Sequence, residues 1–158
     1  MKESEFNNEF MLLALEEATQ AFDEGEVPIG CVIVNRNNNE IIARTHNSMQ
    51  QHKNACLHAE MKAIELACKK SNNKNLSNCD IYVTLEPCTM CAAAISYSRI
   101  SRLYYSTPDP KQGAVENGVR FYASESCMHK PEVYSGMNIT ESSKLMKSFF
   151  IQLRKNKL

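Results

Sequence analysis

Apolar residues recur at three- and four-residue steps over residues 4–24, which is the pattern of a helix with one buried face. Ser4 is suited to the N-cap of this helix, and Gly25 is suited to a stop at its carboxyl end. We therefore predict a helix over residues 4–24. Its apolar positions are Phe6, Phe10, Leu13, Ala14, Ala18, Ala21 and Phe22.

A β-hairpin is predicted directly after this helix. Residues 29–35 are apolar and β-branched, which is typical of a buried strand. The polar residues 36–39 form the turn, and residues 40–44 form the returning strand.

Strand and helix patterns then alternate, whereas residues 107–128 have no clear pattern. The remaining strands are predicted over residues 80–85, 102–106 and 132–134. The remaining helices are predicted over residues 58–70, 87–98 and 140–155, with a polar loop at 71–79. The last helix carries its apolar residues partly on one side, at Leu145, Phe149, Ile151 and Leu153. A hairpin followed by this alternation predicts an α/β fold, with a central mixed sheet of about five strands and helices on both faces.

Size and composition are those of one globular domain. The chain has 158 residues, of which 43% are hydrophobic and 23% charged, so we expect a single domain over residues 1–158. Eighteen basic residues balance eighteen acidic ones. The whole molecule therefore has no field that attracts nucleic acid, although a local basic patch is compatible with this balance.

The sequence gives no sign of export or of membrane insertion. Apolar runs are only a few residues long, far from the roughly 20 residues that span a bilayer. Residues 1–10 contain Glu3, Glu5 and Glu9 and no apolar stretch of the kind found in signal peptides. We therefore expect a cytoplasmic protein without membrane association.

Seven cysteines are present, an odd number that argues against a disulfide framework in this compartment. Two of them form a separate motif. We expect reduced thiols, mostly small buried side chains, at Cys31, Cys56, Cys68, Cys79 and Cys127.

The separate motif is Glu86-Pro87-Cys88-Thr89-Met90-Cys91, where a strand pattern meets a helix pattern. Two cysteines three residues apart in the first turn of a helix lie on one face, so both sulfurs can reach one ion. The amino end of a helix favours thiolates, and a dithiolate with an imidazole suits zinc. A lone Cys-x-x-Cys motif also fits a redox pair, half of a zinc ribbon or two core cysteines. A ribbon needs a second such pair, which the chain lacks.

His58-Ala59-Glu60 supplies a third ligand and a carboxylate. Catalytic zinc usually has three protein ligands and an open water position, whereas structural zinc has four ligands. His58, Cys88 and Cys91 make three, because the other histidines lie in predicted turns or loops. Zinc at such a site lowers the pKa of water to about 7, and Glu60 is close enough to take the proton. Considered alone, a histidine near a helix start is more commonly a cap or a surface residue.

Taken together, His58-Ala59-Glu60 and Pro87-Cys88-Thr89-Met90-Cys91 resemble the cytidine deaminase-like superfamily. The resemblance narrows to the bacterial tRNA-specific adenosine deaminases, which convert adenosine at the anticodon wobble position to inosine. It covers roughly residues 26–114, together with Phe149-Phe150 and the basic tail. The other strings that carry it are Glu26-Val27-Pro28-Ile29-Gly30, Asn47, Tyr82-Val83-Thr84-Leu85-Glu86, Ser98-Arg99-Ile100 and Asp109-Pro110-Lys111-Gln112-Gly113-Ala114.

This resemblance implies a three-layer α/β/α cytidine deaminase-like fold, one zinc ion per subunit and no organic cofactor. It also implies a homodimer that acts on the single-stranded anticodon loop of tRNA. By position, the metal ligands would be His58, Cys88 and Cys91, and Glu60 would be the catalytic proton shuttle while zinc-bound hydroxide attacks the base.

Four further positions would bind the substrate: Asn47 at the purine edge, Ile29 along the base pocket, Asp109 at the nucleotide backbone, and Phe150. Judged from the residues alone, Asn47 and Asp109 are turn residues and Ile29 belongs to a core strand.

Other substrates and another class of protein stay open at this point. The last helix places Lys144, Lys147, Arg154, Lys155 and Lys157 around two phenylalanines, which suits a single-stranded loop but also a solvated helix with buried rings. Residues 54–57 and 115–118 depart from the usual bacterial strings and border the expected substrate channel. The alternative is a deaminase of free cytosine, guanine or a nucleoside. A non-catalytic zinc module would typically lack Glu60.

Overall fold

A five-stranded mixed sheet forms the centre of the computed structural model, which describes residues 8–157. The strands are β1 (Gly30–Asn35), β2 (Glu40–His46), β3 (Cys79–Leu85), β4 (Arg102–Thr107) and β5 (Glu132–Ser135). Their order across the sheet is β2-β1-β3-β4-β5. β1 is antiparallel to both of its neighbours, and β3, β4 and β5 are parallel. The predicted mixed sheet of five strands is confirmed.

Helices cover both faces of this sheet, as predicted. They are α1 (Asn8–Asp23), α2 (Met49–His52), α3 (Ala59–Ser71), α4 (Thr89–Tyr97) and α5 (Ile139–Lys155). The predicted N-cap Ser4 and the apolar Phe6 lie outside the described residues. Gly25 adopts a left-handed φ of 79°, which confirms it as the stop after α1. No helix within residues 8–157 is long and apolar enough to cross a membrane.

One element differs from the sequence prediction, and one segment had no predicted structure. The short helix α2 falls where a turn was expected. Residues 108–131 form a long connection between β4 and β5 whose only helical part is a single 3-10 turn, Phe121–Ala123. Both segments are held by contacts to residues distant in the sequence, which periodicity does not reveal.

Alternation along the strands produces one core on each side of the sheet. Cys31 and Ile33 of β1 pack with Ala59, Ala63 and Ala67 of α3. On the other side, Val32 and Val34 pack with Phe10, Met11 and Ala14 of α1. Each fully buried aliphatic side chain contributes about 1.5–3 kcal/mol to folding, so the two cores fix the helices on the sheet.

At Gly30 the backbone of β1 lies close to the backbone of α1. A Cβ atom at this position would lie 1.8 Å from the backbone oxygen of Ala14. Only glycine therefore allows β1 to begin directly beneath α1.

The prediction for α5 is partly wrong. Phe149 is buried, and its ring centroid lies 6.1 Å from that of Phe22 in α1. Ile151 and Leu153 were expected on the inner side, but they are 47% and 39% exposed. Every described residue from 150 onward is exposed. The apolar pattern of the helix therefore continues past the last residues of α5 that pack against the rest of the protein.

All seven cysteines are free thiols in this structure, but the five outside the Cys88–Cys91 motif are not mostly buried, as had been expected. Cys31 and Cys79 are buried, Cys68 and Cys127 are partly buried, and Cys56 is exposed. Burial raises the pKa of Cys79 to about 11 and also raises the pKa of Cys31 and of Cys68. These three are therefore unreactive packing residues at neutral pH.

Candidate active site

Two helices begin at the same place beside the carboxyl end of β3. His58 is the N-cap of α3 and Cys88 is the N-cap of α4, both with extended backbone, and Cys91 lies in the first turn of α4. The strand-to-helix turn predicted at Pro87 is thus present, with the helix itself starting at Thr89. The partial positive charge of both amino ends favours anionic groups at this point.

The three predicted metal ligands come together. His58 Nδ1 lies 3.6 Å from the Sγ atom of Cys88 and 3.6 Å from that of Cys91. With zinc–sulfur bonds of about 2.3 Å and zinc–nitrogen bonds of about 2.05 Å, tetrahedral geometry requires a nitrogen–sulfur separation of about 3.6 Å. The donor atoms therefore have the spacing that one zinc ion needs. Within residues 8–157 this is the one cluster of at least three His, Cys, Asp or Glu side chains suited to a metal ion.

The charge on the two sulfurs also suits a cation. The hydrogen bond from Cys91 lowers the pKa of Cys88 most. Burial acts in the opposite direction, but with a further hydrogen bond from His58 the pKa falls to about 4. The bond to Cys88 and burial raise the pKa of Cys91 far above its normal value. Since two neighbouring thiolates repel each other, one proton stays on the pair until a divalent cation displaces it.

Glu60 lies in the first turn of α3, two residues after His58, and is 3% exposed. Burial raises the pKa of this carboxyl to about 7. Its Oε2 atom is buried and has no hydrogen-bond partner among the described residues. A carboxyl that is close to half-protonated at neutral pH, with one oxygen open beside the ligand group, is suited to proton transfer.

Asn47 and Ile29 adjoin this group. The Ala59 N–H, between His58 and Glu60, donates to Asn47 Oδ1 at 2.8 Å. The Asn47 N–H donates to the carbonyl of Ile29 at 3.2 Å, and both residues are buried. Asn47 Nδ2 is a buried donor without a partner in the described part of the chain. Asn47 is thus more than a turn residue, because it is fixed through one end of its amide and open at the other.

Asp109 lies in the loop that follows β4 and is partly exposed. Its Oδ1 atom accepts the backbone N–H groups of Lys111 and Gln112, which is the turn-forming role that the residue type suggests. The same loop contacts the turn Glu86–Cys88 that leads into α4, which we call the metal-ligand turn. The contact is a hydrogen bond of 2.9 Å from the Ala114 N–H to the Pro87 carbonyl. The structure therefore places Asp109 on a segment that adjoins the metal-ligand turn.

Phe150 is the exception among the predicted site residues. It is 41% exposed on α5, and its ring packs edge-on against that of Phe149. The two phenylalanines, which the sequence pattern treats alike, thus have opposite environments.

Sequence reasoning missed two buried glutamates, Glu26 and Glu86, which are 1% and 2% exposed. Glu26 accepts the N–H groups of Gln50 and Gln51 at 3.1 and 2.7 Å and so caps α2. Burial alone would raise the pKa of Glu86, but hydrogen bonds led by the one from Asn117 keep it below its normal value. The available signal for Glu86 was a charged residue directly after a buried, largely apolar strand, a place where an ionised group is kept only if it is hydrogen-bonded.

The comparisons with known proteins agree with this geometry. Residues 4–107 match the family model of the cytidine and deoxycytidylate deaminase zinc-binding region. Together with the sheet and the His58, Cys88 and Cys91 group, this match defines a zinc-binding deaminase domain.

A tRNA-specific adenosine deaminase of Rickettsia bellii is 51% identical over 141 residues, which cover 89% of this chain and 97% of that protein. A solved tRNA:A34 deaminase, studied for A-to-I editing at the wobble position, has 49% identity and a TM-score of 0.85 over 88% of this chain and 99% of that one. The chain belongs to the tRNA-specific adenosine deaminase family. The family resemblance and the fold predicted from the sequence are both confirmed.

A guanine deaminase from Nitrosomonas europaea also has the same fold. Its TM-score is 0.75 over 91% of this chain and 84% of that protein, with 19% sequence identity. At this identity the likeness concerns the fold alone.

Proposed function

We propose that this protein deaminates adenosine to inosine at the wobble position of tRNA anticodons in a zinc-dependent hydrolysis. The chemistry is supported chiefly by the 3.6 Å spacing of the ligand atoms next to the buried, open carboxyl of Glu60. The choice of substrate is supported by relatives that are about half identical over nearly their whole length.

We assign the metal to His58 Nδ1 and to the sulfurs of Cys88 and Cys91. When bound, zinc is a Lewis acid that makes water an effective nucleophile at neutral pH. The three side chains hold the ion at the amino ends of α3 and α4, with room for water as a fourth neighbour because no further protein ligand belongs to this group within residues 8–157.

Glu60 moves the protons in this assignment. Its Oε2 atom accepts one proton from the attacking water and delivers it to a ring nitrogen of the purine. The carboxylate then takes the remaining proton from the hydroxyl group added at C6 and delivers that proton to the leaving amine. The C6–N6 bond breaks and ammonia leaves, so adenosine and water give inosine and ammonia. A carboxyl with a pKa of about 7 can accept and release protons with comparable ease at neutral pH.

The base is held by the residues next to this group. Asn47 Nδ2 donates to an acceptor on the purine edge, and Ile29 lines the pocket beside it. Asp109 contacts the backbone of the nucleotide. These roles are supported by the unpaired donor of Asn47 and by the contact of the 109–114 segment with the metal-ligand turn.

RNA requires a surface outside the pocket, since the target nucleotide must be extruded from its loop. We propose that α5 and its tail provide this surface. Five exposed basic residues lie there, namely Lys144, Lys147, Arg154, Lys155 and Lys157. Phe150 is the exposed ring among them and would stack on a base.

We further propose a single domain over residues 1–158, a homodimer and a cytoplasmic location. The single domain is supported by the match to 97% of the Rickettsia bellii protein. The homodimer is supported by the family resemblance and by the highly exposed apolar side chains of Tyr97 and Met128. Light scattering of the zinc-loaded protein measures its mass: twice the chain mass supports the dimer, and the chain mass alone excludes it.

The decisive experiment incubates the zinc-loaded protein with an anticodon stem-loop that has adenosine at the wobble position. The same loop with guanosine there, free guanine, free cytosine and cytidine serve as parallel substrates. We expect inosine in the first RNA alone, detected by nuclease digestion and mass spectrometry, with a KM that rises steeply with salt. Ammonia released from a free base, with an unchanged stem-loop, would instead establish a small-molecule deaminase.

A further inference from the structure

Glu86 accepts five hydrogen bonds from one irregular segment of the chain. Its side chain is buried, directly after the last residue of β3. The donors to Oε1 are the Asp109 N–H at 3.0 Å and Asn117 Nδ2 at 2.7 Å. The donors to Oε2 are the backbone N–H groups of Val115, Glu116 and Asn117 at 3.1, 3.0 and 3.0 Å.

The Glu86 carboxylate provides the hydrogen-bond acceptors that a helix or a strand would otherwise provide for this segment. Residues 108–120 contain neither helix nor strand, so their N–H groups need other acceptors. A single charged side chain provides them at both ends of the 109–117 stretch. The bonds are charge-assisted, which makes them stronger than bonds between neutral groups.

The packing around Glu86 leaves little freedom. A Cβ atom on Gly113 would lie 2.5 Å from Cδ of Glu86, so the segment passes directly over the carboxyl group. On either side of it, the Glu86 N–H donates to the Thr107 carbonyl at 2.8 Å and the Ala114 N–H donates to the Pro87 carbonyl at 2.9 Å. The segment is therefore tied to the same turn that carries Cys88.

We propose that Glu86 is a positioning residue, which fixes the Asp109 segment relative to the metal-ligand turn so that the substrate side of the site is formed before RNA binds. The inference rests on the proposed function, because RNA is the ligand that Asp109 is assigned to contact. Zinc binding does not depend on Glu86 in this scheme, since its carboxylate is occupied by the segment and not by the ligands.

Glu86→Gln tests the proposal with nearly unchanged size. A glutamine has one acceptor oxygen, and in either orientation its NH₂ group faces at least two N–H donors. We expect zinc content to be retained and kcat/KM for the stem-loop to fall by about 100-fold, mainly through KM. Glu86→Asp keeps the charge and both acceptors but is one methylene shorter, so it should recover only part of this loss.

The matched control is Glu125→Gln, which removes the same charge from an exposed position and should leave KM unchanged. Should Glu86→Gln fail to fold, Asn117→Ala removes one donor and leaves the carboxylate in place. We expect a KM increase of roughly fivefold for that variant. A merely structural role would lower the amount of active protein at unchanged KM. That result in Glu86→Gln, or in Asn117→Ala if Glu86→Gln does not fold, would overturn the proposal.

Hydrogen exchange separates this proposal from the proposed function. The amides of Val115, Glu116 and Asn117 should be protected in the zinc-loaded wild type and should exchange much faster in Glu86→Gln. If the wild type does not edit RNA but this difference is present, the proposed function fails while the positioning role stands. Equal exchange in the two proteins would overturn the positioning role.

Discussion

The side chain of Asn47 is hydrogen-bonded at 2.8 Å to the backbone N–H of Ala59, the residue between His58 and Glu60. One amide thus fixes the start of α3, where a proposed zinc ligand and the proposed proton shuttle both lie. Its other end, the Nδ2 donor, is buried and unpaired among residues 8–157. The same side chain can therefore support the site and bind the purine.

Substitution of Asn47 by aspartate separates these two roles. Asp keeps an acceptor for the Ala59 N–H but replaces the free donor by an acceptor. We expect zinc content and thermal stability near those of the wild type, with kcat/KM lowered by about 100-fold because a buried acceptor on the purine loses its partner. Asn47→Ala should lower stability as well. Wild-type kinetics in Asn47→Asp would remove this residue from substrate binding.

Glu60→Gln should retain stoichiometric zinc and lose ammonia release by at least about 10²-fold, since the amide cannot accept or deliver the proton. Zinc is measured by atomic emission and ammonia by a coupled assay. Turnover at the wild-type rate would exclude Glu60 as the proton shuttle.

Cys88→Ser should lose zinc and stability together, because formation of the site is coupled to folding. Metal content after dialysis and the midpoint of thermal unfolding measure the two effects. Cys56→Ser is the matched control, as this thiol is exposed and lies outside the ligand group. A Cys88→Ser protein with full zinc content would contradict the assigned ligand set.

The two adjacent phenylalanines should respond in opposite ways. Phe149→Ala removes a buried ring and should destabilise the protein by about 3–5 kcal/mol in urea unfolding. Phe150→Ala should leave stability nearly unchanged and raise KM for the stem-loop, because stacking on a base is worth about 1–3 kcal/mol. An unchanged KM in Phe150→Ala would remove α5 from the proposed RNA surface.

The end of α1 offers a pH-dependent contact. His46, whose other ring nitrogen contacts Glu17, lies 2.9 Å from Glu24, and this bond, followed by that from Gln20, lowers the pKa of Glu24. A carboxylate with a lowered folded-state pKa stabilises the fold above its unfolded-state pKa, and this contribution is lost as the pH falls through the folded-state pKa. Glu24→Gln should thus be less stable than the wild type at neutral pH.

Urea unfolding of both proteins, followed from neutral pH down through the carboxyl range near about 4, measures this difference. It should shrink as the pH falls, whereas the exposed Glu125→Gln control should match the wild type at neutral pH. A difference that does not change with pH would show that the charge of Glu24 is not the cause.

The sequence was sufficient for features that depend on local chemistry. Helix starts near His58 and Cys88 follow from residue types within one turn. The strands follow from apolar runs between turns, except β5, which is short and only partly apolar. The ligand group could be predicted because a shared ion, together with a family resemblance, links two strings that are distant in the chain.

The parts that could not be predicted depend on distant partners. α2 is held by Glu26, and the segment after β4 is held by Glu86. In both cases the donors are backbone N–H groups, which nearly every residue type has and which the sequence therefore does not mark. At the exposed end of α5 the sequence pattern predicted burial that the structure does not have, because Ile151 and Leu153 continue the apolar pattern of the helix but remain exposed. The periodicity of apolar residues indicates which face of a helix could be buried, but not how many turns of that helix pack against the rest of the protein.

The hairpin turn at residues 36–39 lies at the opposite end of the sheet from the ligand group. β1 runs antiparallel to β3 and pairs Asn35 with Cys79, at the start of the strand whose far end leads to Glu86. Seven residues of extended chain separate the two ends by about 20 Å. A fluorescent label attached at this exposed turn would therefore mark the enzyme without entering the path of the substrate. An RNA-binding domain inserted at the same turn would bring the enzyme to a chosen RNA in the same way.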